Sequence, residues 1–262
     1  MARTNLLAGN WKMHKTPDET EAFVRRFLPL LLPRADVEVA LLPPFPSLDR
    51  TGRLLAGTAI SLGAQDLYFE PFGAFTGEVS AEMLRACGCR YVLVGHSERR
   101  ALFREDDPLA NRKLKAALAG QLIPILCVGE TLTERREKRT EERVLSQLAG
   151  ALTGVHAEAL SSLVVAYEPV WAIGTGEASS PEEAQEVVHR IRDWFDALHG
   201  RTLAECVRLL YGGSVTPANA ASFLREPDVD GALVGGASLV PESFARIVAA
   251  CRALLDTADE SG

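Results

Sequence analysis

Short apolar runs alternate along this chain with longer stretches in which apolar residues recur at helical spacing. Eight runs stand out: Asn5–Gly9, Val37–Leu42, Ala59–Ala64, Tyr91–Gly95, Ile123–Gly129, Leu163–Glu168, Val207–Gly212 and Gly231–Gly235. Each has the length of a buried strand, and each is followed by an amphipathic pattern such as EEAQEVVHRIRDWFDAL at 182–198. Helix starts are written into the text. Thr16-Pro17-x-Glu19 and Ser180-Pro181-x-Glu183 each place a capping hydroxyl, a first-turn proline and a glutamate three residues on. Thr216-Pro217 and Asp107-Pro108 repeat the cap-plus-proline signal, and Pro241 opens the last helix.

Eight strand–helix units without a long linker predict an α/β fold, a single (β/α)8 barrel spanning residues 1–255, with a frayed tail at 256–262. The structural alternative is a doubly wound open sheet. It is the weaker reading because AGNWK, at the exit of the first strand, lacks the GxGxxG turn of a dinucleotide-binding fold. In a barrel, side chains leaving the C-terminal ends of the strands converge on one mouth. Those are Asn10, Lys12, Gln65, His96, Cys127, Glu168, Ser214, Gly235 and Gly236.

Composition narrows the field. The 262 residues are 47% hydrophobic and 24% charged, with a net charge of −7, which argues against disorder and against a nucleic-acid or anionic-membrane surface. The only basic tract is RREKR at 135–139, and lysines number five. Any anionic ligand must therefore be held by local groups. Five scattered cysteines, without CxxC pairs or a histidine cluster, point to neither a disulfide framework nor a zinc site. No run has the length of a signal-peptide core or a membrane span, so the expected setting is cytoplasmic.

The stretch YEPVWAIGTG at 167–176 carries the sharpest chemical signal. Glu168 stands where an apolar strand emerges, a place where burial can raise a carboxylate toward neutrality and make it a general base. The loop behind it is too apolar for an idle surface segment, and Pro169, Gly174 and Gly176 supply stiff and permissive points around a mobile lid. GHSERR at 95–100 puts His96 ahead of a short helix, whose N-terminal dipole disfavours imidazolium and leaves a neutral ring able to donate to a carbonyl oxygen. Lys12 supplies a fixed positive charge. YGGS at 211–214 and LVGGAS at 233–238 end the last two strand runs, where barrels bind phosphate through backbone N–H groups. Cys127 has no base placed beside it and reads as packing.

Taken together, AGNWKM (8–13), GAFTGEVS (73–80), GHSERR (95–100), CVGE (127–130), YEPVWAIGTG (167–176), LYGGSV (210–215) and LVGGASL (233–239) resemble the triosephosphate isomerase family in order and over nearly the whole chain. The resemblance implies interconversion of dihydroxyacetone phosphate and glyceraldehyde 3-phosphate through an enediolate, with no cofactor and no metal. It implies Glu168 as base, His96 and Asn10 as polarising groups, and Lys12 as charge stabiliser supported by Glu98. Gly174, Ser214, Gly235 and Gly236 would hold the phosphate. A homodimer is implied as well, with the aromatic loop from Gln65 to Glu78 docking in the other subunit. Thr76 and Phe75 would lie on that interface and Met13 would line the receiving pocket. Two departures from the family pattern are visible. Glu177-Ala178-Ser179 replaces a Lys-Thr-Ala type hinge, and Asp66 stands where an Asn is common. Other phosphate-binding barrels, such as an aldolase, and a non-catalytic metabolite-binding barrel are the competing functional readings.

Overall fold

The computed structural model describes residues 3–31, 37–173 and 179–259, with side chains as far as Leu255. Among these residues eight strands, β1 (Asn5–Asn10), β2 (Val37–Leu42), β3 (Ile60–Ala64), β4 (Cys89–Val94), β5 (Ile123–Val128), β6 (Val164–Tyr167), β7 (Arg208–Tyr211) and β8 (Gly231–Val234), pair in chain order and close on themselves. All pairings are parallel, and the closing one runs from Leu6 opposite Gly231 to Gly9 opposite Val234. Closure of β1 on β8 rules out the open sheet.

The helices lie between the strands: α1 (Pro17–Phe27), α2 (Leu48–Leu55), α3 (Ala81–Ala86), α4 (Ser97–Phe103), α5 (Asp107–Ala119), α6 (Leu132–Arg136), α7 (Thr140–Leu152), α8 (Pro181–His199), α9 (Arg201–Ala204), α10 (Ala220–Leu224) and α11 (Pro241–Asp259). The boxes at Thr16/Glu19 and Ser180/Glu183 form as expected, each satisfying backbone donors that α1 and α8 would otherwise leave open, a contribution of about 1 kcal/mol per cap. Two starts differ. The cap of α5 is Asp106, whose carboxylate accepts from Leu109 N–H, so Asp107 and Pro108 are already helical. Thr216-Pro217 opens a turn and the helix begins only at Ala220, because the Asn219 side chain accepts from Thr216 N–H and donates to Ser214 O. At the other end, α11 continues to Asp259, beyond the residue 255 at which the barrel was expected to finish; nothing in 256–259 is a glycine or proline that would stop it.

Strand residues alternate between two packed layers. Leu6, Ala8, Ala40, Leu42, Tyr91, Leu93, Ile125, Val164, Ala166, Leu210 and Leu233 fill the barrel, while Leu7, Leu41, Val92, Leu126, Val165 and Leu209 face the helices. The filling is complementary: a Cβ on Gly63 would stand 2.8 Å from Leu42 Cγ and 3.2 Å from Tyr91 Cβ, so the missing side chain makes room for Leu42 and Tyr91. Tyr91 Oη donates to Glu38 at 2.5 Å, and Arg208 reaches the same carboxylate at 2.7 Å. With that end filled by side chains, the opposite end is free to hold chemistry.

Candidate active site

Strand ends and the first turns of the following helices bring the chemical groups together. β1 delivers Asn10, then Lys12 in a left-handed conformation (φ 52°) that is unusual for a residue with a side chain. Three hydrogen bonds hold that turn: Lys12 N–H donates to Asn10 Oδ1 at 3.1 Å, and Gln65 Nε2 donates to both Lys12 O and Leu42 O at 2.8 Å. Lys12 Nζ meets Glu98 Oε1 at 2.5 Å. Two residues beyond β4 stands His96, the N-cap of α4. The Glu98 N–H donates to its Nδ1 at 3.2 Å, so the neutral ring carries its proton on Nε2, the atom that faces the cavity groups.

Glu168 follows β6 and is buried. Its Oε1 lies 3.0 Å from His96 Nε2, and its Oε2 accepts from the Ser97 N–H at 2.9 Å. Asn10 Nδ2 sits 3.2 Å from the same imidazole nitrogen. These contacts revise the expected electrostatics. Burial pushes the Glu168 pKa up, but His96, the Ser97 N–H and Lys12 together outweigh it, and the carboxyl is held below its ordinary value. Burial pushes His96 down, as the helix dipole would, yet the adjacent Glu168 carboxylate raises it above its ordinary value. The lowered imidazole pKa expected from the sequence is thus reversed while the carboxylate stands beside it.

A cavity of about 220 Å3 opens beside these groups, lined by Asn10, Lys12, His96, Glu168, Ile173, Gly212, Gly213, Ser214, Leu233, Gly235 and Gly236. Two larger clefts, about 380 and 410 Å3, lie elsewhere, and neither gathers an acid, an imidazole and a lysine. The glycines have steric reasons: a Cβ on Gly212 would meet Glu168 Cγ at 2.9 Å, and one on Gly213 would meet Tyr211 Oη at 2.2 Å. A Cβ on Gly236 would meet nothing within 4 Å, which leaves its backbone open to a ligand.

Of the residues singled out in the sequence, Asn10, Lys12, His96, Glu168, Ser214, Gly235 and Gly236 converge here, and Glu98 joins through Lys12. Cys127 is buried behind Glu168; burial first, and then the Glu168 charge, push its thiol pKa well up, as suits packing rather than nucleophilic chemistry. Gly174 lies outside the described residues. Met13, Phe75 and Thr76 lie outside the cavity, on the exposed surface, with Met13 94% exposed. Gly212 and Gly213 were not singled out as site residues, although the YGGS turn already contained both. Among the described residues no three His, Cys, Asp or Glu gather as metal ligands would, and no helix is long and apolar enough to cross a membrane.

A closed parallel barrel that keeps its ionisable groups at the strand exits and its glycine turns after the last two strands is a (β/α)8-barrel enzyme, with the site at the C-terminal mouth. Within that class the chain belongs to the triosephosphate isomerase family, whose model matches residues 5–251. Curated relatives named triosephosphate isomerase cover 94% of this chain: that of Caldanaerobacter subterraneus subsp. tengcongensis is 50% identical over 99% of its own length, and that of Carboxydothermus hydrogenoformans is 52% identical over 98%. The protein of the same name from Roseiflexus sp. is 51% identical, with 97% of its length covered.

Proposed function

We propose that this chain interconverts dihydroxyacetone phosphate and D-glyceraldehyde 3-phosphate, and that it does so as a cytoplasmic homodimer without a cofactor. The observation that carries the reading is the 3.0 Å approach of Glu168 to His96 at the wall of a cavity whose other wall is glycine backbone.

In the forward direction Glu168 removes a proton from C1 of the ketone. The electrons move toward the C2 carbonyl oxygen, where His96 Nε2–H and Asn10 meet the developing charge, and Lys12 adds a positive field. Glu168 then returns its proton to C2, while the O1 hydroxyl becomes the carbonyl and its proton passes to O2 by way of the imidazole. To reach carbon, the carboxylate must leave the Ser97 N–H and His96. That departure removes the largest influence that raises the imidazole pKa, leaving that of Glu98, and burial and the helix N-terminus then favour the neutral ring the reaction needs. Ser214, Gly235 and Gly236, with Gly174, hold the phosphate through backbone N–H groups; Glu98 keeps Lys12 in place.

A Schiff-base aldolase would need a lysine free of ion pairing at the mouth, and Lys12 is engaged by Glu98. The dimer reading rests on exposed apolar side chains around the long loop after β3: Phe72 is 81% exposed, Phe75 packs on Tyr68 with centroids 4.7 Å apart, and Met13 projects from the β1 exit. Turnover of glyceraldehyde 3-phosphate, followed by reduction of the ketone product in a coupled assay, tests the activity. Absence of turnover at micromolar enzyme would overturn it.

A further inference from the structure

One ion pair on the outside of the barrel ties together both described ends of the connection between β6 and α8. Arg135, in α6, places its guanidinium over the Trp171 ring, 4.3 Å from the centroid, and one of its nitrogens meets Glu183 Oε1 at 2.5 Å. Trp171 lies three residues beyond Glu168, and its Nε1 donates to the buried Glu130 carboxylate at 2.9 Å; Tyr167 Oη donates to the same group. This fastens the start of the connection. At its far end, the other oxygen of Glu183 accepts from the Ser180 N–H at 3.1 Å and from Ser179 Oγ at 3.2 Å. Burial pushes the Tyr211 hydroxyl up to about 12, and the charges of Glu183, Arg135 and Glu130 also act on it.

We propose that Arg135 and Glu183 are positioning residues for the reaction: their ion pair braces the two ends of the connection against each other, and so sets the place of Glu168 and of Ile173, which lines the cavity. Two features of this chain suit the brace. The Ser179 hydroxyl adds a donor to Glu183. The capping glutamate offers one oxygen to α8 and its serines and leaves the other for Arg135. The guanidinium is suited to the joint because its plane stacks on an aromatic ring while its edge holds a carboxylate.

The inference rests on the isomerase reading, and the experiment separates the two. Arg135→Met, Glu183→Gln and the double variant are assayed with glyceraldehyde 3-phosphate, and their affinity for 2-phosphoglycolate, a carboxylate mimic of the enediolate, is measured by calorimetry. Each single change is expected to lower kcat/KM about 5- to 10-fold and to weaken the analogue in the same proportion, with the double variant no worse than the poorer single, as residues of one joint behave. Arg135→Lys, which keeps charge but loses the stacking plane, should fall between wild type and Arg135→Met. Additive losses, or single variants within about twofold of wild type in kcat/KM, overturn the brace. So does a loss in Arg135→Met that follows the unfolded fraction while Arg135→Lys, fully folded, matches wild type. An inactive wild-type protein would instead sink the isomerase reading.

Discussion

A Cβ placed on Gly129 would lie 1.7 Å from the carbonyl oxygen of Glu168. The two backbones run side by side at the exits of β5 and β6, zipped by the Glu168 N–H to Val128 O at 2.7 Å and the Val170 N–H to Glu130 O at 3.1 Å. The obstacle is main chain and not a flexible side-chain tip, so the base can keep its position only while residue 129 has no side chain. Gly129→Ala is expected to shift Glu168 by enough to lower kcat about 100-fold. Steady-state kinetics on the folded variant check this, and near-normal kcat would show that the strand exit has slack.

Glu168→Gln keeps the shape of the side chain and removes its basicity. Turnover should fall by about 10²–10⁴, the usual contribution of a positioned general base, while binding of inorganic phosphate stays within a few fold. Retained turnover would assign the proton transfer to another group.

The Glu168–His96 pair also carries a signature in the pH dependence of stability. Glu168 is depressed from an ordinary value of 4.5, so its ionic contribution is present above that pH and is lost as pH falls through the folded-state pKa. His96 is raised from 6.5, so its contribution is complete below that pH and is lost as pH rises through its folded-state pKa. The difference in Tm between wild type and Glu168→Gln should therefore shrink on acidification below 4.5, and that between wild type and His96→Gln should shrink on raising the pH above 6.5. Flat differences across both ranges would mean that the pair is not ionically coupled in the folded protein.

Behind the site, Lys113 sits buried between Asp66 at 2.6 Å and Glu105 at 2.7 Å, with Arg99 on the same two carboxylates and the Gly95 N–H donating to Glu105. Lys113→Met leaves two buried carboxylates sharing one cation, a loss expected to cost about 3–5 kcal/mol in urea unfolding. A cost under about 1 kcal/mol would show that the cluster relaxes by taking up water or protons.

If the loop after β3 docks in a second subunit, a charge placed at its tip should separate the two. Thr76→Arg with Phe75→Glu is expected to sediment as a monomer and to lose most of its activity, since the loop would no longer buttress the partner's Asn10 and His96. A fully active monomer in ultracentrifugation would refute the dependence of the site on the dimer.

The eight strands were legible because each is an apolar run bounded by a turn, and the observed limits fall within about two residues of the expected ones at either end. Capping boxes were legible for a similar reason: cap and partner sit three residues apart, so neither depends on anything distant. The two misplaced helix starts show the limit. At Asp106/Asp107 two adjacent acids could each cap, and at Thr216 the competing partner Asn219 lies in the same turn, so local text was compatible with more than one hydrogen-bond pattern.

Sequence by itself determined the eightfold strand–helix pattern, and it brought out Glu168, His96, Lys12 and the two glycine turns as candidates, because strand order in a barrel carries every strand exit to the same rim. Tertiary structure alone decided which way the pKa values lean. Lys12 and Glu98 are 86 positions apart, Glu168 and the Ser97 N–H 71, and Arg135 and Glu183 48, yet each pair lies within 3 Å. A charge responds to what surrounds it in space, and the neighbours that hold Glu168 down and raise His96 arrive from separate strands that only barrel closure brings together.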